Sequence, residues 1–273
     1  MAINDVSLTA GMRANLVNLQ GTVNLINRTQ ERLSTGKKVN SALDDPTNYF
    51  VAKDHLNRAS DLTARKDGMS EAIQTVKAGN AGIEGITSLI NAAKGLTQSA
   101  RSADSAGRST LAAQFNTILD QIDEMAADSG YKGVNLLADK DITVDFNEDG
   151  SNTLTISGFD ASTSTAGLNI ADATNSWVAD TDIDGAVSDL DQAMTTLRSQ
   201  SSTLAANMSI VTIRQDFTTG MIATLQTGAD NLTLADMNEE GANMLMLQTR
   251  QSLGTTALSL ASQAAQSVLR LFG

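Results

Sequence analysis

The sequence contains no cysteine, one histidine, one proline and few aromatic residues. Its 273 residues include one Trp, two Tyr and six Phe, an aromatic fraction of 3%. Without cysteine the chain has no disulfide, thiolate metal site or thiol nucleophile. The single histidine, His55, excludes multi-histidine zinc sites and leaves a serine triad dependent on that residue alone. So few aromatic rings argue against a stacking platform for nucleic-acid bases.

Basic residues are scarce, and their placement divides the chain into three parts. The formal net charge is −12, from 19 Lys and Arg against 31 Asp and Glu, which disfavours general nucleic-acid binding. Residues 141–197 contain eleven Asp or Glu and no Lys or Arg. Because acidic surfaces repel one another, we expect this middle to face solvent and the flanks to be where chains meet. A plain soluble loop region would have the same composition.

Long apolar runs are also absent. No stretch approaches the roughly 18 apolar residues that a membrane-spanning helix needs. Residues 1–14 do not combine a basic start with an apolar core, so we do not expect them to act as a secretory leader. We expect no membrane insertion, and either a cytosolic location or export by a route that cleaves no leader.

What the sequence does contain is apolar residues in alternating steps of four and three. This spacing places a narrow apolar seam along a helix that packs on other helices. The terminal seams are Met12, Leu16, Leu19, Val23, Ile26 and Leu33 at one end, and Ala257, Ala261, Ala264, Val268 and Leu271 at the other. The inner seams are Ile73, Val76, Ile83, Ile90, Phe115, Ile118, Ile122, Leu197, Leu204, Met208, Val211, Ile222 and Leu225.

These seams predict a mainly α fold, a long antiparallel helical bundle or coiled coil formed by the N- and C-terminal segments. Fixing a backbone costs about 1–2 kcal/mol per residue, so the run over 190–232 must bury its seam against other helices, with 69–90 and 111–125 as partners. The terminal seams have only each other inside one chain. We expect the first and last 35–40 residues to be disordered in a free monomer and to fold when copies pack together. Folding back onto the central bundle is the alternative.

The middle of the chain reads as β and turn. Apolar and polar residues alternate over 142–146 and 153–156, and 147–152 supplies turn residues between them. This pattern predicts a small β-hairpin in an outer region. Residues 157–181, rich in Ser, Thr, Asp and Ala, are expected to be irregular surface.

Motifs that carry chemistry are weak. The run Asp145-x-Asn147-x-Asp149-Gly150 matches the first half of a calcium loop, but Ile156 occupies the place of the bidentate Glu. The match of Ser34 and Lys37 to a serine acylase motif lacks its companion motifs, and His55 lies on a polar segment typical of a solvated side chain. We therefore predict no catalytic residue, no cofactor and no metal site.

Segments at both ends of the chain match motifs of a known protein family. Residues 32–46, RLSTGKKVNSALDDP, are similar to the stretch after the first flagellin helix, and the following TNYF resembles the variant common in alphaproteobacterial members. Residues 129–137, SGYKGVNLL, are similar to the family's entry into its β region. Residues 248–258, QTRQSLGTTAL, and the closing VLRLF at 268–272 resemble the C-terminal helix.

The resemblance implies a structural subunit that polymerises into the filament of the bacterial flagellum for swimming motility, and no enzyme. It implies inner-tube helices at 1–40 and 233–273, a helical rod domain at 41–140 and 185–232, and a short acidic surface-exposed variable region at 141–184. Implied partners are other copies, the flagellar cap, hook-associated junction proteins and an export chaperone, and the implied location is extracellular after type III export. The alternative is a hook–filament junction protein, which shares the helical ends and export route but forms a short ring.

Overall fold

Five α-helices and one β-hairpin account for most of the described chain. The structure is a computed structural model that describes residues 10–272, with side chains described as far as residue 267. The order of elements is α1 (Ala10–Thr35), α2 (Pro46–Ser102), α3 (Ser105–Asp128), β1 (Ile142–Asp145), β2 (Thr153–Ile156), a 3-10 helix (Thr174–Trp177), α4 (Asp180–Thr233) and α5 (Met237–Phe272). The predicted fold class, mainly helical with a small hairpin, is confirmed.

The helix ends follow from local sequence. Pro46 opens α2 at a position where its missing N–H is not needed, and the Asp45 carboxylate accepts a hydrogen bond from the Asn48 N–H (3.1 Å). Asp104 caps α3 in the same way through the Gly107 N–H (2.8 Å). Gly36 ends α1 with a φ of 71°, a left-handed conformation that glycine adopts without a steric penalty.

The chain divides into two compact units, whose boundaries fall within α2 and α4. Unit 1 consists of Met1–Leu56 and Leu225–Gly273, and unit 2 of Asn57–Thr224. Unit 1 therefore holds α1, α5 and one end each of α2 and α4. Unit 2, all of which is described, holds α3, the hairpin and the remainder of α2 and α4.

In unit 1, α1 and α5 pack against each other as an antiparallel pair. Arg32 at the end of α1 contacts Glu240 at the start of α5. A Cβ added to Gly254, further along α5, would lie 3.1 Å from Leu19 Cδ1. The absence of a side chain at Gly254 thus allows a close approach between the two helices.

In unit 2, the segments of α2 and α4 that belong to this unit run antiparallel. Lys94 pairs with Asp191 and Arg101 with Asp184, so the C-terminal end of α2 lies beside the N-terminal end of α4. Gly82 lies where α2 meets the end of α3, and an added Cβ there would lie 2.1 Å from Ser129 Oγ. The main buried cluster is built from α2, α3, α4 and the segment between α3 and α4.

The hairpin has the predicted strands and turn. β1 and β2 are antiparallel, with Val144 opposite Leu154. In the turn, Asn147 Oδ1 accepts from the Asn152 N–H (3.0 Å) and Gly150 has a φ of 70°. Arg65 Nη1 lies 3.1 Å from Asp145 Oδ2, so an ion pair fixes the hairpin to α2.

The segment after the hairpin differs from the expectation of plain irregular surface. It is irregular, but Ala161, Leu168 and Ile170 are buried, and Trp177 is fully buried with its ring 5.0 Å from that of Phe115. This segment therefore covers α3 and contributes to the core of unit 2. In the described residues, no helix has the length and apolar character that crossing a bilayer requires.

Candidate self-assembly surfaces

The predicted seam of α1 lies mainly on the side that packs against α5. Met12 is buried, and Leu19, Val23, Ile26 and Leu33 are half-buried. Leu16, the remaining predicted residue, is 38% exposed. Even the best-covered face of α1 is thus only partly removed from water by a single chain.

The buried face of α5 is shifted from the predicted one. Of the predicted residues, Ala261 is half-buried, Ala257 and Ala264 are exposed, and Val268 and Leu271 lie outside the described side chains. The positions that are buried or half-buried at steps of four and three are Glu240, Met244, Leu247, Gln251, Gly254, Leu258, Ala261 and Ala265. Met244, Leu247 and Leu258 are the large apolar residues on this face, and their spacing would have predicted it. A role of Ala257 and Ala264 in contacts between copies stays a prediction.

One end of the α1–α5 pair is held by polar contacts. Arg32 Nη1 lies 2.8 Å from Glu240 Oε1, and the Glu240 side chain is only 8% exposed. Next to this pair, the backbone N–H of Lys38 donates to Thr233 O (2.7 Å) and that of Ala235 to Gly36 O (3.0 Å). The connections 36–39 and 231–235, here called the clasp, therefore join the two terminal segments where the helices α1 and α5 meet the rest of unit 1.

The loop after the clasp is organised around Asp44. Its Oδ2 accepts hydrogen bonds from the N–H groups of Ser41 (2.9 Å) and Asn40 (3.1 Å) and from the Ser41 hydroxyl (3.1 Å). The Ser41 and Asn40 backbone donors hold the pKa of the Asp44 carboxyl below its ordinary value.

Unit 1 leaves many large apolar side chains in water. Within the described residues, thirteen of the seventeen exposed large apolar side chains belong to this unit. They are Leu16, Val17, Leu25, Leu43, Phe50, Val51, Leu56, Leu234, Met237, Leu245, Met246, Leu253 and Leu260. By contrast, every residue of the main buried cluster belongs to unit 2. Unit 1 thus has extensive apolar surface without a large core of its own.

The predicted inner-seam residues are placed in or beside buried regions. Those that are buried are Val76, Ile83, Ile90, Phe115, Ile122, Leu197, Leu204, Val211, Ile222 and Leu225. Those that are half-buried and packed against the main cluster are Ile73, Ile118 and Met208. All of these except Leu225 belong to unit 2.

The carboxylates in and beside the calcium-loop match serve the hairpin. Asp145 and Glu148 pair with Arg65 and Arg58 of α2, and Asp149 Oδ1 accepts from the Ser151 N–H (3.0 Å). The Arg58 guanidinium holds the pKa of Glu148 below its ordinary value. Across the described part of the chain, no group of three or more His, Cys, Asp or Glu side chains is arranged to hold a metal ion.

Taken together, these surfaces define a class of protein. A long-helix protein with paired ends, a core confined to one unit and exposed apolar residues on the other is built to assemble with further copies. Residues 3–141 match the family model of the bacterial flagellin N-terminal helical region, and residues 187–272 that of the C-terminal helical region. The chain belongs to the bacterial flagellin family, and it is a structural subunit of the flagellar filament.

Individual relatives extend over the whole chain. It is 30% identical to Flagellin FljO of Caulobacter vibrioides over 282 residues, which cover 100% of both chains. It is 27% identical to a flagellin of Brucella melitensis, with 98% of this chain and 97% of the relative covered. The crystal structure of Bacillus cereus flagellin aligns with a TM-score of 0.45 and 15% identity, covering 55% of this chain and 88% of that one.

Proposed function

We propose that this chain adds to a growing filament by folding its terminal segments onto copies already in place. In this arrangement residues 1–40 and 233–273 form the inner tube, 41–140 and 185–232 form the surrounding helical rod, and 141–184 lie on the outer side of the rod, where they also contribute buried residues to the core of unit 2. The seam residues of α1 and α5 would then bury their remaining exposed surface between copies. The chain has a mechanical role and no catalytic one.

The observation that carries this proposal is the contrast between the two units. The main buried cluster belongs to unit 2, whereas unit 1 has thirteen exposed large apolar side chains. Burying a fully exposed side chain of this kind contributes about 1.5–3 kcal/mol, and these thirteen are on average about half exposed, so contacts between copies offer roughly 10–20 kcal/mol of gross stabilisation. Because ordering the terminal backbones opposes folding, the ends gain a net advantage only when several copies contribute.

The polymer follows from contacts between unlike surfaces. When one face of a subunit binds a different face of the next, and the rotation between them does not close, the result is an open helical filament. We further propose that the chain is exported unfolded to the cell exterior. Its other partners would be an export chaperone, the hook-associated junction proteins to which the first copies bind, and a cap protein at the growing end.

Deletion of residues 1–35 tests the proposal. Unit 2 is untouched by this deletion, so we expect a monomer that keeps the helical circular dichroism of its long helices. It should form no filaments in electron micrographs, even when seeded with fragments of full-length filament. Normal filaments from the truncated chain would contradict the proposal. Full-length chains that bind to seeds without elongating them would favour the junction-protein alternative.

A further inference from the structure

A pocket in unit 2 combines apolar, aromatic and basic side chains. It has a volume of about 170 Å³ and is lined by residues of α2, the turn of the hairpin and α4. Leu62 of α2 and Phe217 and Met221 of α4 contribute apolar surface, and Phe146, which follows β1, contributes a second aromatic ring. Since an apolar cavity of about 150 Å³ accommodates benzene, this pocket has room for a ligand body of about that size.

Arg214 gives the pocket a positive charge that the protein itself does not balance. Its Cζ lies 5.2 Å from the centre of the Phe146 ring, so a cation–π contact holds the guanidinium in place. Within unit 2, Arg214 takes part in no ion pair and no hydrogen bond. The N–H donors of its guanidinium are therefore available to a ligand.

The two other charged side chains of the pocket neutralise each other. Arg58 of α2 forms an ion pair with Glu148 of the hairpin turn. The Arg58 guanidinium holds the pKa of Glu148 below its ordinary value, so this carboxyl is ionised at neutral pH. Because these two charges cancel and that of Arg214 remains, the pocket carries one net positive charge in a chain whose formal net charge is −12.

Thr218 adds a buried hydroxyl without a partner. The residue is 2% exposed, and no hydrogen bond to its hydroxyl is formed by any other residue of unit 2. The hydroxyl oxygen is not sealed off from solvent, and the pocket is an open space that Thr218 lines. Buried hydroxyls ordinarily find a partner, because leaving one unpaired costs free energy. The unpaired hydroxyl therefore indicates a site for an acceptor atom of a ligand.

We propose that this pocket binds a small carboxylate whose apolar body is about the size of a benzene ring. The carboxylate would accept hydrogen bonds from the Arg214 guanidinium and the Thr218 hydroxyl, which lie four residues apart and hence on the same face of α4. The apolar body would contact Leu62, Phe217 and Met221. With one unbalanced cation, the pocket suits a single negative charge better than the double charge of a phosphate monoester.

One copy forms the whole pocket, so dilute full-length monomer is the sample for the test. We expect titration with sodium benzoate at constant ionic strength to shift the amide signals of Phe146 and Thr218 in proton–nitrogen correlation NMR spectra. The shifts should saturate with a dissociation constant in the millimolar range, as for other ligands of this size. Acetate lacks the ring and benzyl alcohol lacks the charge, so each should bind at least about tenfold more weakly.

Two substitutions test the two polar groups separately. Arg214→Gln should weaken benzoate binding at least about tenfold, and Thr218→Val, which keeps the shape of the side chain, about three- to tenfold. The matched control Arg198→Gln changes an exposed arginine of the same helix outside the pocket and should leave binding unchanged. Circular dichroism of each variant checks that its helices are intact.

Three results would overturn the carboxylate site: shifts that rise without saturating, benzyl alcohol that binds as tightly as benzoate, or an Arg214→Gln variant that binds like the wild type. Free small acids and peptide tails both present a carboxylate beside a ring, and a short peptide ending in phenylalanine distinguishes them. Weaker binding than benzoate assigns the site to free acids, and equal or tighter binding assigns it to tails; both results support the site. Filament formation is not measured in these titrations, so the site and the proposed function fail independently.

Discussion

A matched pair of leucine substitutions distinguishes the two units. Leu119 of α3 lies in unit 2 and is 2% exposed, and Leu247 of α5 lies in unit 1 and is 5% exposed. Replacing a buried leucine by alanine costs about 2–5 kcal/mol when the surrounding structure is folded. The two substitutions remove the same atoms from comparable burial, so a difference between them reports whether each unit is folded in the state that is measured.

For Leu119→Ala we expect the free energy of monomer unfolding to fall by about 2–5 kcal/mol in urea titrations followed by circular dichroism. For Leu247→Ala we expect no change beyond about 0.5 kcal/mol, because we propose that the α1–α5 pair seen in the structure becomes stable only when neighbouring copies cover it. The stabilisation that Leu247→Ala removes should be missing when the chain polymerises. Since about 1.4 kcal/mol corresponds to a tenfold change in an equilibrium constant, the critical concentration should rise at least about 30-fold.

Two measurements on the same samples decide the matter: the urea midpoint of dilute monomer, and the unpolymerised concentration left after sedimentation of filaments. Leu119→Ala should leave the unpolymerised concentration within about threefold of the wild-type value, because unit 2 is folded before and after assembly. A loss of about 2 kcal/mol or more in the Leu247→Ala monomer would refute the reasoning, since α1 and α5 would then be folded without neighbours.

Four further substitutions test unit 2. Trp177→Ala removes a fully buried ring and should lower the free energy of unfolding by about 3–5 kcal/mol in urea titrations; a change below about 1 kcal/mol would contradict its burial. Gly82→Ala should destabilise by about 1–3 kcal/mol through its contact with α3, whereas Gly95→Ala, with open space around it, should stabilise by up to about 1 kcal/mol. Arg58 lowers the pKa of Glu148, so their ion pair stabilises the folded chain above about pH 4.5, and this stabilisation is lost as pH falls through the lowered pKa. Arg58→Met should therefore reduce the fall in the free energy of unfolding between neutral and acidic pH.

The features that the sequence predicted well are those with a local or periodic cause. The hairpin follows from alternation in residues 142–145 and 153–156 and from turn residues between them. The inner-seam residues, which recur at steps of four and three, are buried or half-buried, and their role as the core of a rod domain stays a prediction. Gln215, four residues after Val211 in the same spacing, donates from Nε2 to Ser70 Oγ of α2 (2.6 Å).

The register of α5 could not be read in the same way. Small residues occur all around the C-terminal half of this helix, so more than one face fits a seam of alanines. The predicted face includes Ala257 and Ala264, which are exposed. The buried face instead includes Leu247 and Gly254. Glycine is not counted as an apolar residue in a seam, so Gly254 gave no sign of lying on the buried face. Its close approach to Leu19 is nevertheless possible because it has no side chain.

The contacts of the acidic segment were also beyond sequence reasoning. Its composition predicts repulsion and exposure, yet five of its carboxylates pair with basic residues of α2 and α3: Asp145, Glu148, Asp180, Asp184 and Asp191. The partners are 70 or more residues apart in the chain. Likewise, nothing local indicates that Trp177 enters the core on a left-handed turn, because non-glycine residues rarely adopt that conformation.

The proposed dependence of unit 1 on neighbouring copies has a consequence for growth. Ordering the 26 backbones of α1 alone costs about 26–52 kcal/mol, and α5 alone covers α1 only partly. In a filament end, neighbours are already folded and their apolar faces are in place, so an arriving copy gains most of its contacts at once. Two free copies gain few contacts and must order both pairs of ends. We therefore expect elongation to be favoured over spontaneous nucleation, so that subunits add to existing filaments rather than forming new ones.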